Sequence, residues 1–404
     1  MHVFDIVVVG GGTVGLTQAL ALKNSGLSVA VVESNISRAM PNGAPQLRVS
    51  ALTLASENIL HNLGAWQHLD VDRLCSYVDM QVWDQDSFGK IEFSASQVQK
   101  KQLGHIVENQ AIRHSLWTQA QNSSHIELLA PKKIKQLVFG QQECFITLDD
   151  DNQLTARLVI GADGANSIVK KQANFAQTFW DYDQNAIVAT VKTQLPHNHT
   201  ARQVFTPSGP LAFLPLWDAH HCSIVWSQDE SKAAELLKLS NEEFNKALTA
   251  AFDCTLGICE LISDRQSYAL KMRYTRQWVG NRVAIIGDAA HTIHPLAGQG
   301  ANLGISDAAA LAEQIIKLVE QNKDFGLAKN LRPFERWRKT ETVKMVAAME
   351  GFKRLFAGNQ PIKKLIRDTG LSLANYSSLT KQKIIQHAMG LEGELPDLAK
   401  ERSD

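Results

Sequence analysis

Gly10, Gly12 and Gly15 stand in the run Gly10-Gly11-Gly12-Thr13-Val14-Gly15, directly behind the apolar segment Ile6-Val7-Val8-Val9. A β-branched run of that length reads as a buried parallel strand, and Leu16–Lys23 after the glycines reads as a helix. Such a turn suits a pyrophosphate. Gly10 allows the tight turn, Gly12 admits close approach of the main chain, and Gly15 lets helix and strand pack together. The helix start adds free N–H groups and the positive end of a dipole. A second strand, Ser28–Val32, ends at Glu33, where a carboxylate would accept hydrogen bonds from ribose hydroxyls. Strand, glycines, helix, strand and acid in that order predict a dinucleotide site.

Two further constellations have the same strand-then-turn form. Leu158-Val159-Ile160 leads into Gly161-Ala162-Asp163-Gly164, where Asp163 either caps a helix or contacts a ligand. Arg282–Ile286 leads into Gly287-Asp288, with an acid placed to bind sugar-alcohol hydroxyls. The loop His294-Pro295-Leu296-Ala297-Gly298-Gln299-Gly300-Ala301-Asn302 follows and opens a helix near Ala301. That helix start faces whatever gathers negative charge above it, such as the N1–C2=O edge of a reduced isoalloxazine. His291 and His294 lack a third ligand, so no metal is expected.

The chain has 404 residues, 44% apolar and 20% charged, with 41 Lys plus Arg against 41 Asp plus Glu. That is a globular composition sized for two domains, with no net field to attract nucleic acid. Cys75, Cys144, Cys222, Cys254 and Cys259 are odd in number, scattered and without a CxxC pair. Reduced thiols are expected, not a disulfide framework or a zinc site. No apolar run is long enough to span a membrane, and the first strand begins without room for a signal peptide, so a cytoplasmic location is expected.

The positioning elements can be read along the chain. Ser34–Gln46 reads as a loop, Ser50–Leu63 as a helix, Met80–Phe93 as a hairpin and Asn109–Ala120 as a helix. Ile126–Leu154 reads as short antiparallel strands. Strand-like segments at 186–192, 202–205, 211–216 and 222–227 adjoin one helical stretch, Glu230–Phe252. Ala301–Glu320 is a long helix. The predicted fold class is α/β, with a Rossmann-type dinucleotide-binding domain discontinuous in sequence (1–75, 95–175 and 275–350). A sheet-based substrate domain (76–94 and 176–274) is inserted in it. A helical C-terminal region (351–391) and a frayed tail (392–404) follow.

These elements, in this order and at these separations, resemble the group A flavin-dependent aromatic hydroxylases, the para-hydroxybenzoate hydroxylase superfamily, over essentially the whole chain. Pro45–Ala51, Leu103–Asn109, Thr178–Tyr182, Phe213–Leu216, Gly287–Gly304 and Gln386–Leu391 are similar to the ubiquinone-biosynthesis hydroxylases, and among them to the bacterial 2-polyprenylphenol hydroxylase branch. The resemblance implies a Rossmann-type domain holding FAD non-covalently. Gly10, Gly12 and Gly15 would take its pyrophosphate and Glu33 its adenosine ribose. It also implies FAD contacts for Arg48 and Asp163, for Gly287 and Asp288 at the ribitol, and for Pro295, Gly298, Gly300, Ala301 and Asn302 beneath the flavin. Asn109 stands where the superfamily often has glutamine, and Arg113 falls nearby.

By the same resemblance, NADH or NADPH reduces the flavin and O2 then forms a C4a-hydroperoxide that attacks an electron-rich phenol carbon. One dinucleotide fingerprint suffices, because the nicotinamide donor binds only briefly. No residue type and position forces a general base; His294 and Pro295 in the flavin loop are the catalytic candidates. Val204, Phe213, Leu214 and Pro215 are substrate-facing candidates, with sheet core as the equal alternative. Lys353–Leu391 carries seven Lys or Arg against one acid, interleaved with apolar residues. That suits peripheral contact with a membrane holding a polyprenylated phenol, docking to other ubiquinone-biosynthesis enzymes, or a solvated helix face. A homo-oligomer, a flavin oxidoreductase without oxygen insertion (such as a prenyl reductase) and a non-catalytic flavin-bound scaffold stay open.

Overall fold

The computed structural model describes residues 2–37, 43–86, 89–292 and 300–356, then 382, 385–386 and 388–401, except for the side chains of 348–350 and 352–356. The strand that carries the glycine fingerprint, β1 (His2–Val9), lies inside the first sheet. On one side it pairs in parallel with β2 (Val29–Val32), which pairs in parallel with β8 (Ile126–Leu129). On the other it pairs in parallel with β11 (Gln153–Gly161), which pairs in parallel with β19 (Val283–Ile285). β18 (Val279–Gly280) closes that edge, while β9 (Ile134–Phe139) and β10 (Cys144–Leu148) form an antiparallel branch on β11.

Alternation along β1 explains its unbroken apolar run. Ile6 and Val8 pack among α1 (Thr13–Ala21), α2 (Leu54–Leu63), α3 (Asn109–Gln121) and α7 (Gly300–Glu320). Val7 and Val9 enter the opposite cluster with Ile146, Leu148 and Trp278. A parallel strand covered on both faces needs apolar side chains in both directions.

The second sheet is mostly antiparallel. Its order is β20 (His291–Thr292), β17 (Gln266–Thr275), β12 (Gln177–Thr193), β15 (His221–Asp229), β14 (Gly209–Pro215), β13 (Thr200–Thr206), β5 (Asp79–Asp84) and β6 (Lys90–Ser94), with β16 (Cys259–Leu261) on β12. α5 (Glu230–Lys238) and α6 (Asn241–Ala251) cover one face through Ala233, Leu236, Phe244 and Leu248. A third sheet joins β3 (Val49–Thr53), β7 (Gly104–Glu108) and β4 (Cys75–Tyr77).

Four local expectations need correction. Val49–Thr53 is a strand paired with β7, and the helix starts only at Leu54, where the Thr53 hydroxyl accepts from the Ser56 N–H at 3.4 Å. The stretch from Glu230 is two helices, because Ser240 starts a new one through a reciprocal cap with Glu243. β8 runs parallel to β2, not antiparallel within 126–154. Residues 392–401 are not frayed. Asn58 and Asn62 donate to the carbonyls of Ala399 and Leu398, Glu313 accepts from the Asp397 N–H, and Leu395 and Leu398 pack on the core.

One buried carboxylate ties these layers together at the end of β19. Asp307 of α7 is fully buried and accepts from the Gly287 N–H (3.2 Å), His291 Nε2 (2.6 Å) and Arg338 Nε (2.8 Å), the last from α8 (Ala328–Phe356). Burial opposes its ionisation, but His291 and Arg338 outweigh that and hold its pKa below the ordinary 3.8. A depressed carboxylate stabilises the fold fully above its unfolded pKa and loses that contribution as pH falls toward the folded value.

Two outcomes follow for urea titrations. Asp307→Asn leaves Arg338 buried without its charge partner, so it is expected to cost about 3–5 kcal/mol at pH 7, with the gap to the parent narrowing below pH 3.8. A gap independent of pH would contradict the electrostatic account. A Cβ at Gly15 would sit 1.9 Å from the Gly10 carbonyl oxygen, whereas one at Gly12 meets nothing within 4 Å. Gly15→Ala is therefore expected to lower stability by about 1–3 kcal/mol, and Gly12→Ala to leave the ligand-free protein unchanged.

Candidate functional site

The turns after β1, β11 and β19 meet at the same end of the first sheet. Gly10 has φ +107°, and a Cβ on it would lie 2.5 Å from the Ala162 carbonyl oxygen, so the first two turns touch through main chain alone. Val14 at the start of α1 fills the space left by two other glycines. A Cβ on Gly287 would be 3.1 Å from it, and one on Gly304 of α7 only 2.6 Å. The result is a cavity of about 400 Å³ with Gly12–Val14, Arg48–Ser50, Asn109, Gly287-Asp288 and Gly300-Ala301 on one side. The opposite side is the second sheet, presenting Ala186, Val188, Ser223, Val225, Tyr268 and Leu270.

The first wall is built to receive anions and hydroxyls. α1 is preceded by Gly12, which provides no side-chain cap, and the first turns of α1 and α7 hold no acid. Their N–H groups are thus left for a ligand. Gly12, Gly164 and Gly300 all border the cavity with no atom within 4 Å of a would-be Cβ. Asp288 sits in the concave wall. Solvent reaches its carboxylate through the cavity, yet the surrounding protein raises its pKa by desolvation, against the pull of His291, Arg48 and Arg273. An acid held there, beside open main-chain amides, fits a long dinucleotide with one anionic and one polyhydroxyl section.

The remaining candidates occupy varied positions. Glu33 Oε2 accepts from the Gly11 N–H at 2.6 Å, and Oε1 accepts from the Asn35 N–H at 2.8 Å. Arg113 donates to the Gly11 carbonyl at 2.8 Å and stands 3.8 Å from Glu33, so it clamps the fingerprint turn to the end of β2. Arg48 lies over the Tyr268 ring at 5.5 Å. Asn109 borders the cavity, but its Oδ1 already accepts from Ser50 Oγ at 2.7 Å.

Asp163 is not among the residues bordering the cavity: Oδ2 caps the short helix α4 (Ile168–Gln172), accepting from Ile168 N–H at 2.7 Å, and Oδ1 is buried without a partner among the described residues. Burial raises its pKa against those bonds. Asn302 bridges to β3, accepting from Thr53 N–H and donating to the Ala51 carbonyl. That places both its amide atoms in the protein's own bonding. His294, Pro295 and Gly298 lie outside the described residues.

The substrate-facing candidates need correction by strand parity. Val204 and Phe213 face the helices, with Phe213 stacked on Phe252 at 3.7 Å between ring centres. Leu214 faces the other way but packs with Tyr77, Phe93 and Ile385. Pro215 is buried and borders none of the described cavities. The cavity wall comes instead from β12, β15 and β17. Alternation of small or polar residues with large ones, as in Ala186-Ile187-Val188 and Ser223-Ile224-Val225, was the available signal.

Sequence reading also missed the anchor of the Arg48 loop. Glu108 is buried and takes a two-bond contact from Arg73, at 2.9 and 2.8 Å, while accepting from the Gln46 N–H at 2.6 Å. Arg73 also stacks on Trp217 at 4.3 Å.

Comparison with known proteins agrees with this geometry. Residues 3–329 match the family described as FAD binding domain. The chain is 32% identical to the mitochondrial ubiquinone biosynthesis monooxygenase COQ6 of Danio rerio, over 96% of this chain and 90% of that protein. It is 30% identical to 3-demethoxyubiquinol 3-hydroxylase of Escherichia coli, over 96% and 98%. Among solved structures, p-nitrophenol 4-monooxygenase PnpA from Pseudomonas putida superposes with a TM-score of 0.78 at 18% identity, covering 97% of this chain and 99% of that one, which shows a common fold. The chain therefore belongs to the FAD-binding-domain family and, within it, to the ubiquinone-biosynthesis hydroxylases: it is an FAD-dependent monooxygenase.

Proposed function

We propose that the enzyme hydroxylates the ring of a polyprenylated phenol, an intermediate of ubiquinone biosynthesis, using NADH or NADPH and O2. The observation that carries this reading is the two-sided cavity: a wall of amides and one acid facing a mostly apolar sheet. The names of the relatives, a ubiquinone biosynthesis monooxygenase and a demethoxyubiquinol hydroxylase, point to the same chemical class.

Bound FAD supplies the redox chemistry, accepting a hydride and activating dioxygen. The chain's own residues bind, orient and exclude water. Gly10, Gly12 and Gly15 with the start of α1 take the pyrophosphate; Glu33 takes the adenosine ribose, held in place by Arg113 through the Gly11 turn. Asp288, on the turn fixed by Asp307, takes the ribitol hydroxyls. The start of α7 at Gly300-Ala301 favours negative charge on the adjacent ring edge. Ala186, Val188, Val225 and Leu270 form the dry side on which the substrate ring rests. His294, Pro295 and Gly298, between Asp288 and Gly300 in the sequence and outside the described residues, complete this assignment.

The enzyme also meets the membrane surface, where a polyprenylated substrate dissolves. Among the described residues no helix is long and apolar enough to cross a membrane. Phe179 and Trp180 support a peripheral contact: they are 73% and 52% exposed, opposite Arg273 and Met272 in the pairing of β12 with β17. Most of the basic stretch 351–391 lies outside the described residues.

Asp288→Ala is expected to purify colourless, and Gly12→Ala to lose FAD while keeping the unfolding midpoint of the FAD-free parent; full yellow occupancy in both would defeat the assignment. In the parent, substrate-dependent O2 uptake should match hydroxylated product mole for mole by mass spectrometry, and uptake without product would sink the hydroxylase reading. Replacing Phe179 and Trp180 by Ser should lower co-sedimentation with phosphatidylglycerol vesicles by about tenfold or more, and unchanged binding would remove the membrane contact.

A further inference from the structure

The antiparallel wall of the cavity holds two hydroxyls that nothing among the described residues satisfies. Thr190 of β12 and Ser223 of β15 are direct partners in register. Their odd-and-even neighbours reveal the direction each takes. Ile187, Ala189, Val191, Cys222 and Ile224 enter the core beneath α5 and α6, while Val188, Val225 and Ser223 itself border the cavity. Thr190 thus lies on the same face of the sheet as Ser223; Ser223 borders the cavity and Thr190 sits next to it across the strand pair. Thr190 and Ser223 are 1% and 0% exposed. Neither Oγ has a hydrogen-bond partner, and the two do not bond to each other. Unpaired buried hydroxyls destabilise a fold, so two of them on paired positions of one sheet face, one at the cavity wall and the other next to it, call for a partner that arrives from outside.

We propose that Thr190 and Ser223 form a subsite for the oxygen substituent of the aromatic ring, which rests on the reading of a phenol as substrate. The side chains nearest on the same face, Ala186, Val188 and Val225, carry no charge. A neutral hydroxyl pair in such a wall selects a phenolic oxygen over a carboxylate. Each hydroxyl can donate to that oxygen or accept its proton. The subsite sets the ring's orientation against the opposite wall, and so selects the carbon presented for hydroxylation.

The test uses full-length, FAD-loaded protein with Ser223→Ala and Thr190→Val. Two probes are titrated against the flavin absorbance: 2-prenylphenol with a single isoprene unit, and prenylbenzene, which lacks the oxygen. Each variant is expected to bind the phenol about tenfold more weakly and prenylbenzene as the parent does. Each should also match or exceed the parent in urea stability without substrate, since an unpaired hydroxyl has been removed. Unchanged phenol affinity overturns the subsite. So does a parallel loss of stability and of affinity for both probes, which marks a structural hydroxyl. A failure of the phenol reading looks different: the unaltered protein then binds the two probes equally and hydroxylates neither.

Discussion

The Ala162 carbonyl oxygen stands 2.5 Å from where a Cβ at position 10 would be, and the Gly10 carbonyl oxygen 1.9 Å from where one at position 15 would be. Backbones can approach this closely only where no side chain stands between them. Such approaches let two parallel βα turns and the start of α1 occupy nearly the same space, leaving their amides as the surface of the cavity. Val14 completes the junction by filling the room that Gly287 and Gly304 leave open. Side chains at these glycines would hold the three turns apart, and the amide-lined wall would not exist.

Bare main chain does not hold itself in place, and two buried carboxylates supply the anchorage. Asp307 reaches from α7 to the Gly287 amide, His291 and Arg338, so the turn bearing Asp288 is referenced to two helices and a strand. Glu108 does the same for the loop before Arg48, through Arg73 and the Gln46 amide. Each acid satisfies a main-chain donor and a guanidinium together. An ion pair buried this way adds little net stability compared with apolar packing, but it fixes geometry, because removing one partner strands the other.

The two walls of the cavity obey different rules. The first is main chain, positioned by glycine and by anchors, and it suits a ligand of fixed chemistry. The second is the face of an antiparallel sheet, where every second side chain is exchangeable without disturbing the helices behind. Ser223 and Thr190 lie on that exchangeable face, and their unpaired hydroxyls burden the ligand-free fold. Polar groups kept at such a cost belong with function more than with packing.

Much of the nucleotide wall was legible in the residues because its chemistry is local. Gly10, Gly12, Gly15, Gly287 and Asp288 each follow a β-branched run within a few positions, and the turn geometry is written in the glycine itself. Glu33 at the end of β2 follows its strand in the same local way, and its carboxylate takes the Gly11 and Asn35 N–H groups. Long-range partners could not be read that way. Asn302 at the start of α7 suggests a ligand contact, yet it bridges to β3; Asp163 takes the helix cap that its local sequence already allowed. The Asn302 amide was claimed by a strand distant in the chain. Val204 and Phe213 failed through parity: a strand's alternation tells that two faces exist, and only the position of α5 and α6 decides which one is core. Sequence by itself determined the three strand-to-turn junctions of the first wall and their chemistry, since these depend on adjacent residues. Tertiary structure decided which side chains are left free to meet a ligand, because that depends on partners brought together from across the chain.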